Sequence, residues 1–240
     1  MPKVKEAWDT IRSRLAATTT DVSRIYELRH KNVTRNILLA KDLIQAGKYP
    51  AAKKILLEIT SRPQDVGLAW RYKDELGELF VHIRAFELLS AIAVVENRKK
   101  EAEEYSKQAD SIKDEIQYLN DGLRALRKGI FFAAVASFYQ ALSINPNSTT
   151  AIVSMGYVKL LKGELPDSLN YFNQALASDE GNAEALEAKA HVLELMGLKG
   201  PAAKIHSRVD ELLKEAEKEF EKSEQKRELA RKANKLKPNK

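Results

Sequence analysis

Cysteine is absent from the 240 residues, so neither disulfides nor thiolate-held metals can support the fold. Glycine (10) and proline (7) are scarce, which favours helix over strand. There is no long apolar run. The greasiest stretch, about 85–95, is roughly half a membrane span and carries Glu87. The opening MPKVKEAWDTIRSRL alternates charge and lacks the apolar core of a secretory signal. The expectation is a soluble, cytoplasmic chain with no membrane partner.

Signatures of catalysis are missing too. His30, His82, His191 and His206 share no H-x3-H or H-E-x2-H spacing. The sequence has no Walker-type phosphate loop, no G-x-S-x-G and no dinucleotide fingerprint. No enzyme, cofactor or metal is expected. Glu184, Glu187, His191 and Glu194 do share one helix face, yet such a stripe is more often a solvated face than a ligand set.

What the chain does have is 44% apolar and 31% charged residues, enough to bury a sizeable helical core. Its net charge of +6 is concentrated at the end. From 221 to 240, eight basic residues face Glu221, Glu224 and Glu228, a local balance of 8 − 3 = +5.

In chain order, Val4, Trp8, Ile11 and Leu15 predict an amphipathic helix over 1–20. A helical pattern then runs from Val22 to Ala46, with Gly47 as its stop, and Pro50 suits the first turn of the next helix. Residues 66–114 are expected to form two long helices with a break near 96–99. Residues 21–114 are therefore read as a helical N-terminal half, 115–214 as repeats and 215–240 as a basic tail, disordered towards its end.

The repeats carry a 34-residue echo: Gly122 recurs as Gly156, Gly129 as Gly163, Phe138 as Phe172 and Ala141 as Ala175. With Tyr118, Ala134 and Pro146, the first copy spells W/Y-x3-G-x6-G-x4-A-x3-F-x2-A-x4-P. A third copy keeps Ala190, Gly197 and Ala202 but has His206 and Val209 in place of Phe and Ala. This pattern resembles the tetratricopeptide repeat over about 115–214, with a weaker match at 33–66. The resemblance implies an all-α fold, a right-handed superhelical array of antiparallel helix pairs (a solenoid) with an atypical long-helix N-terminal half.

In that family, the first helix of each pair lines a concave groove that takes peptides or partner helices. The resemblance puts Ile116, Leu119, Leu123 and Leu126 in the groove, then Val153, Tyr157, Leu160 and Leu161, then Glu184, Glu187, His191 and Glu194. The groove would be apolar at one end and acidic at the other. Two readings stand side by side: a docking site for an amphipathic segment, or a face already covered by residues 66–114. Heat-shock chaperone C-terminal peptides are not expected partners, because Leu119, Leu123, Ser154, Glu184 and Ala188 stand where that subgroup carries its carboxylate-gripping Lys, Asn and Arg.

The expected function is a non-enzymatic adaptor or assembly scaffold that binds protein, another copy of the chain included. The alternative is an RNA- or ribosome-associated factor. In it, Lys226, Arg227, Arg231, Lys232, Lys235 and Lys237 of the tail, with the strip Arg24, Lys31 and Arg35, contact phosphate or an acidic partner. The tail lacks the interleaved aromatics that stack on single-stranded bases.

Overall fold

Five interhelical turns set the architecture. Each closes through a residue with positive φ: Gly47 (69°), Asn97 (60°), Gly129 (72°), Gly163 (78°) and Gly197 (79°). At each, the next N–H reaches back to a carbonyl of the helix just ended, as Ile130 N does to Ala125 O (2.9 Å) and Arg98 N to Ala93 O (2.8 Å). Glycine takes this left-handed conformation without a Cβ penalty, and asparagine is among the few other residues that tolerate it.

The computed structural model describes residues 20–61 and 81–235. Among these, nine helices account for the regular structure. In chain order they are α1 (Thr20–Gln45), α2 (Tyr49–Thr60), α3 (Val81–Val95), α4 (Lys99–Arg127), α5 (Phe131–Ile144), α6 (Thr149–Leu161), α7 (Leu165–Ser178), α8 (Ala183–Leu195) and α9 (Lys199–Lys235). Each packs on the next, as expected of an all-helical solenoid. Ser148 and Asn182, 34 residues apart, cap α6 and α8 by accepting from Ala151 N (3.4 Å) and Ala185 N (2.9 Å). Of the expected helix at 1–20, residues 1–19 lie outside the described residues, as do Leu68, Trp70, Leu76, Leu79 and Phe80.

Counting from each turn exposes the packing rule. Five residues on stand Ala52, Ala102, Ala134, Ser168 and Ala202, all buried. Twelve residues on stand Ile59, Ala109, Ala141, Ala175 and Val209, buried as well. Seven residues before the third and fourth turns lie Gly122 and Gly156. A Cβ on either would come within 2.5 Å of a ring carbon of Phe138 or Phe172, respectively. The glycine is thus the floor of an aromatic socket. Ser168 adds a polar clasp by donating to Gly156 O (2.9 Å), and Ser90 does likewise to Ala102 O (2.9 Å) between α3 and α4.

The same register makes α3 and the first half of α4 a helix pair that the 34-residue echo does not reveal. Asn97 stands in place of the turn glycine, and 32 residues separate it from Gly129. The break near 96–99 is found, and α4 runs unbroken across the boundary set at 114/115. Its N-terminal half pairs with α3 and its C-terminal half with α5, so one helix serves two pairs.

Glu101 at the start of α4 receives hydrogen bonds from Lys53 of α2, Arg98 and Tyr105. The Lys53 bond is the chief reason its carboxyl titrates at about 2, below the ordinary 4.5. A depressed carboxylate pKa stabilises the fold fully above the unfolded value and loses that effect as pH falls through the folded one. Glu101→Gln should therefore flatten the pH dependence of the urea midpoint between about 4.5 and 2. Gly156→Ala should lower stability by about 1–3 kcal/mol through overpacking. Adding Phe172→Leu should then cost less than Phe172→Leu costs alone, as read by urea titration of the four-member cycle.

Candidate protein-binding face

Four positions recur on the first helices of the last three pairs. They read Ile116, Thr150 and Glu184; Leu119, Val153 and Glu187; Leu123, Tyr157 and His191; Leu126, Leu160 and Glu194. Polarity therefore rises from α4 through α6 to α8. The structure places nearly all of this face in the interior. Ile116, Leu119, Leu123, Leu126, Val153, Tyr157 and Leu160 are buried, Leu161 is half-buried, and only Glu194 is exposed. Glu184 and Glu187 are each 3% exposed and His191 8%, an unusual depth for ionisable groups.

At the α4 end the face is met by Ile83 and Phe86 of α3, which join one apolar cluster with Ile116, Leu119 and Leu123. At the α8 end it is met by the first described helix. Val22, Ile25, Tyr26 and Leu28 of α1 pack with Ala183 and Leu186 of α8 and with Val209, Leu212 and Ala216 of α9. Covering by residues 66–114 is expected from the sequence, whereas covering by α1 is not. The 3,4-spaced run Val22, Ile25, Tyr26 and Leu28 was the available signal, but it cannot say which distant helix it meets.

Hydrogen bonds fix this closure. The Tyr26 hydroxyl accepts from Glu184 N (3.4 Å), the Tyr157 hydroxyl donates to Glu184 Oε1 (3.4 Å), and Arg29 donates to Gly181 O (3.2 Å). Tyr157 also meets Phe172 edge-on at 5.5 Å between centroids. His206, in the place of the repeat phenylalanine, stands 3.4 Å from Glu187 Oε2 and 3.2 Å from Glu194 Oε1, tying α9 to α8. Between α4 and α5, buried Glu115 accepts from Asn145 (3.0 Å). Burial pushes its carboxyl up, against the hydrogen bonds from Ser148 and Asn145.

The basic strip is occupied from within. Arg24 and Lys31 both pair with Glu27. Arg35 lies 4.3 Å over the Phe220 ring and 3.0 Å from Glu224 Oε1, off the hydrogen-bonding direction but close enough for an ion pair. Phe220 and Ala216 thus belong to a helix packed on α1, and the boundary set at 215 falls within α9. Lys226, Arg227, Arg231, Lys232 and Lys235 fall on α9, but their side chains, and Lys237 altogether, lie outside the described residues. Among the described residues, no His, Asp and Glu group is placed to hold a metal ion, and no helix is long and apolar enough to cross a membrane.

No protein-family model matches the chain. It is 30% identical over 76 residues to cellulose synthase 1 operon protein C of Komagataeibacter xylinus, a match covering 32% of this chain and 6% of that protein. The shared region is a small part of that relative, and the likeness concerns that part alone.

Tyr26→Ala should cost about 3 kcal/mol, as expected for emptying a buried aromatic site. Tyr26→Phe should cost under about 1 kcal/mol, because the lost bond is long. Amide hydrogen exchange should quicken in α8 and α9 of the Ala variant and stay unchanged in α5 and α6.

Proposed function

We propose that this chain is a tetratricopeptide-like, non-enzymatic scaffold that binds a protein segment along the inward face of α6 and α8. One observation carries the reading. Thr150, Glu184, Glu187, Tyr157 and His191 occupy interior positions that a core built only for stability would fill with aliphatic side chains. Polar groups at such depth are retained for specificity, and here they grade from neutral to acidic in one direction. In this reading α1 is the resident occupant of the acidic end. A partner segment of basic, amphipathic character would compete with Val22–Arg29 for it. The local similarity to a cellulose synthase 1 operon protein is compatible with a scaffold role.

The phosphate-contact alternative draws less from the geometry. Arg24 and Lys31 share Glu27 and Arg35 pairs with Glu224, so a nucleic acid would have to compete with two carboxylates for these three cations. Capture from lysate by the wild-type and Tyr26→Ala chains, with nuclease and raised salt, separates the readings. The scaffold reading expects proteins retained through both treatments, more by the Ala variant, with crosslinks mapping to α6 and α8. Loss of every partner on nuclease treatment would hand the function to RNA. Retention with crosslinks confined to α2 or α9 would remove the inward face from consideration.

A further inference from the structure

The outer helices α5 and α7 differ from the rest of the chain in charge. Their 28 residues include a single charged one, Asp167. At the chain-wide 31% charged, about nine would be expected. Asp167 itself is matched by Lys159 at 3.0 Å. The exposed surface of α5 is Phe132, Ala136, Tyr139, Gln140 and Ser143, at helical steps of four, three, one and three. Phe132 is 88% exposed and Tyr139 56%. Val135 and Leu142 of α5 and Leu169 and Tyr171 of α7 pack against the same apolar cluster. Depletion of charge with enrichment of Phe and Tyr marks the centre of a protein interface, not a solvated helix face.

We infer that this face pairs with the same face of a second copy of the chain, α5 against α5, antiparallel across a two-fold axis near Ala136. Charge argues for self-pairing. A foreign partner is ordinarily oriented by opposite charges, and the face has none to offer. Its flanks, however, are polarised. α4 runs antiparallel to α5, so exposed Lys128 sits beside the Phe131 end and exposed Asp114 towards the Ile144 end, while Arg124 is paired with Asp121 (3.4 Å) and Asp110 with Lys113 (3.0 Å). Only an antiparallel pairing brings the basic flank of each copy alongside the acidic flank of the other, as an isologous contact requires.

Side-chain sizes fit the same axis. Ala136 at the crossing lets the two backbones approach, and Phe132 of one copy meets Tyr139 and Gln140 of the other, twice over. Two helices of roughly 21 Å by 10 Å cover about 420 Å², below the ~800 Å² per partner of a standard interface. The dimer is accordingly weak and concentration-dependent.

Two measurements on the full chain test this. In sedimentation equilibrium, the average mass should climb from 27.0 kDa towards twice that with concentration. Phe132→Asp should raise the half-association concentration at least about tenfold with unchanged circular dichroism and melting temperature, since so exposed a side chain contributes little to folding. The chain has no cysteine, so Ala136→Cys introduces one thiol. Mild oxidation should link two copies through it, whereas Lys214→Cys on exposed α9 should stay monomeric. A monomer at every concentration up to about 1 mM would overturn the inference and leave the face to a foreign protein. Association indifferent to Phe132→Asp would overturn it too, as would Ala136→Cys crosslinking no faster than Lys214→Cys.

Discussion

The structure depends on how closely two helices can approach within a pair. At Gly122 and Gly156 the approach is so tight that a single added carbon would sit 2.5 Å from the Phe138 or Phe172 ring. The ring fills the space that the missing side chain leaves, and the alanines flanking it hold both backbones at that distance. Everything further out inherits this spacing. The inward positions of the last three pairs recur at the 34-residue step, and Val135 and Leu142 of α5 pack against the same cluster as Leu169 and Tyr171 of α7.

On that frame the protein presents two unlike surfaces. The inward one grades from the aliphatic Leu119 and Leu123 to the carboxylates of Glu184 and Glu187, and it is covered at its ends by α3 and α1. The outward one, on α5 and α7, carries Asp167 as its one charged residue and is open. Solenoids are ordinarily sums of repeats that touch only their neighbours. Here α1 departs from that rule. Its N-terminal half packs on α8 and α9, while Ile37 and Ala40 in its C-terminal half join the cluster of α2 and α3.

How much of this the amino-acid order discloses depends on how local the cause is. The Gly122–Gly156 echo, the turns at Gly129, Gly163 and Gly197, and the place of Phe138 are readable, because each answers to contacts within one or two helices. The pair formed by α3 and α4 is hidden by one substitution. Asn97 accepts the left-handed turn as glycine does, so the fold keeps the hairpin while the pattern loses its marker. Ala102 and Ala109 still stand five and twelve residues beyond it. The covering of the inward face by α1 was not legible. Tyr26 meets Glu184 across 158 residues of sequence, and hydrophobic spacing says that a face is buried without saying against what. The likeness of His206 to a lapsed repeat phenylalanine also hid its pairing with Glu187 and Glu194.

Arg35 lying across Phe220, beside the packing of Val22 and Ile25 on Leu212, has a mechanical consequence. A repeat array pulled from its two ends usually yields one unit at a time from whichever end is weakest. In this chain the first described helix is clasped to the last, so tension on the ends is borne by that clasp before any pair feels it. The repeats between it are shielded until it gives way, and then the inward face opens along its acidic side in one event.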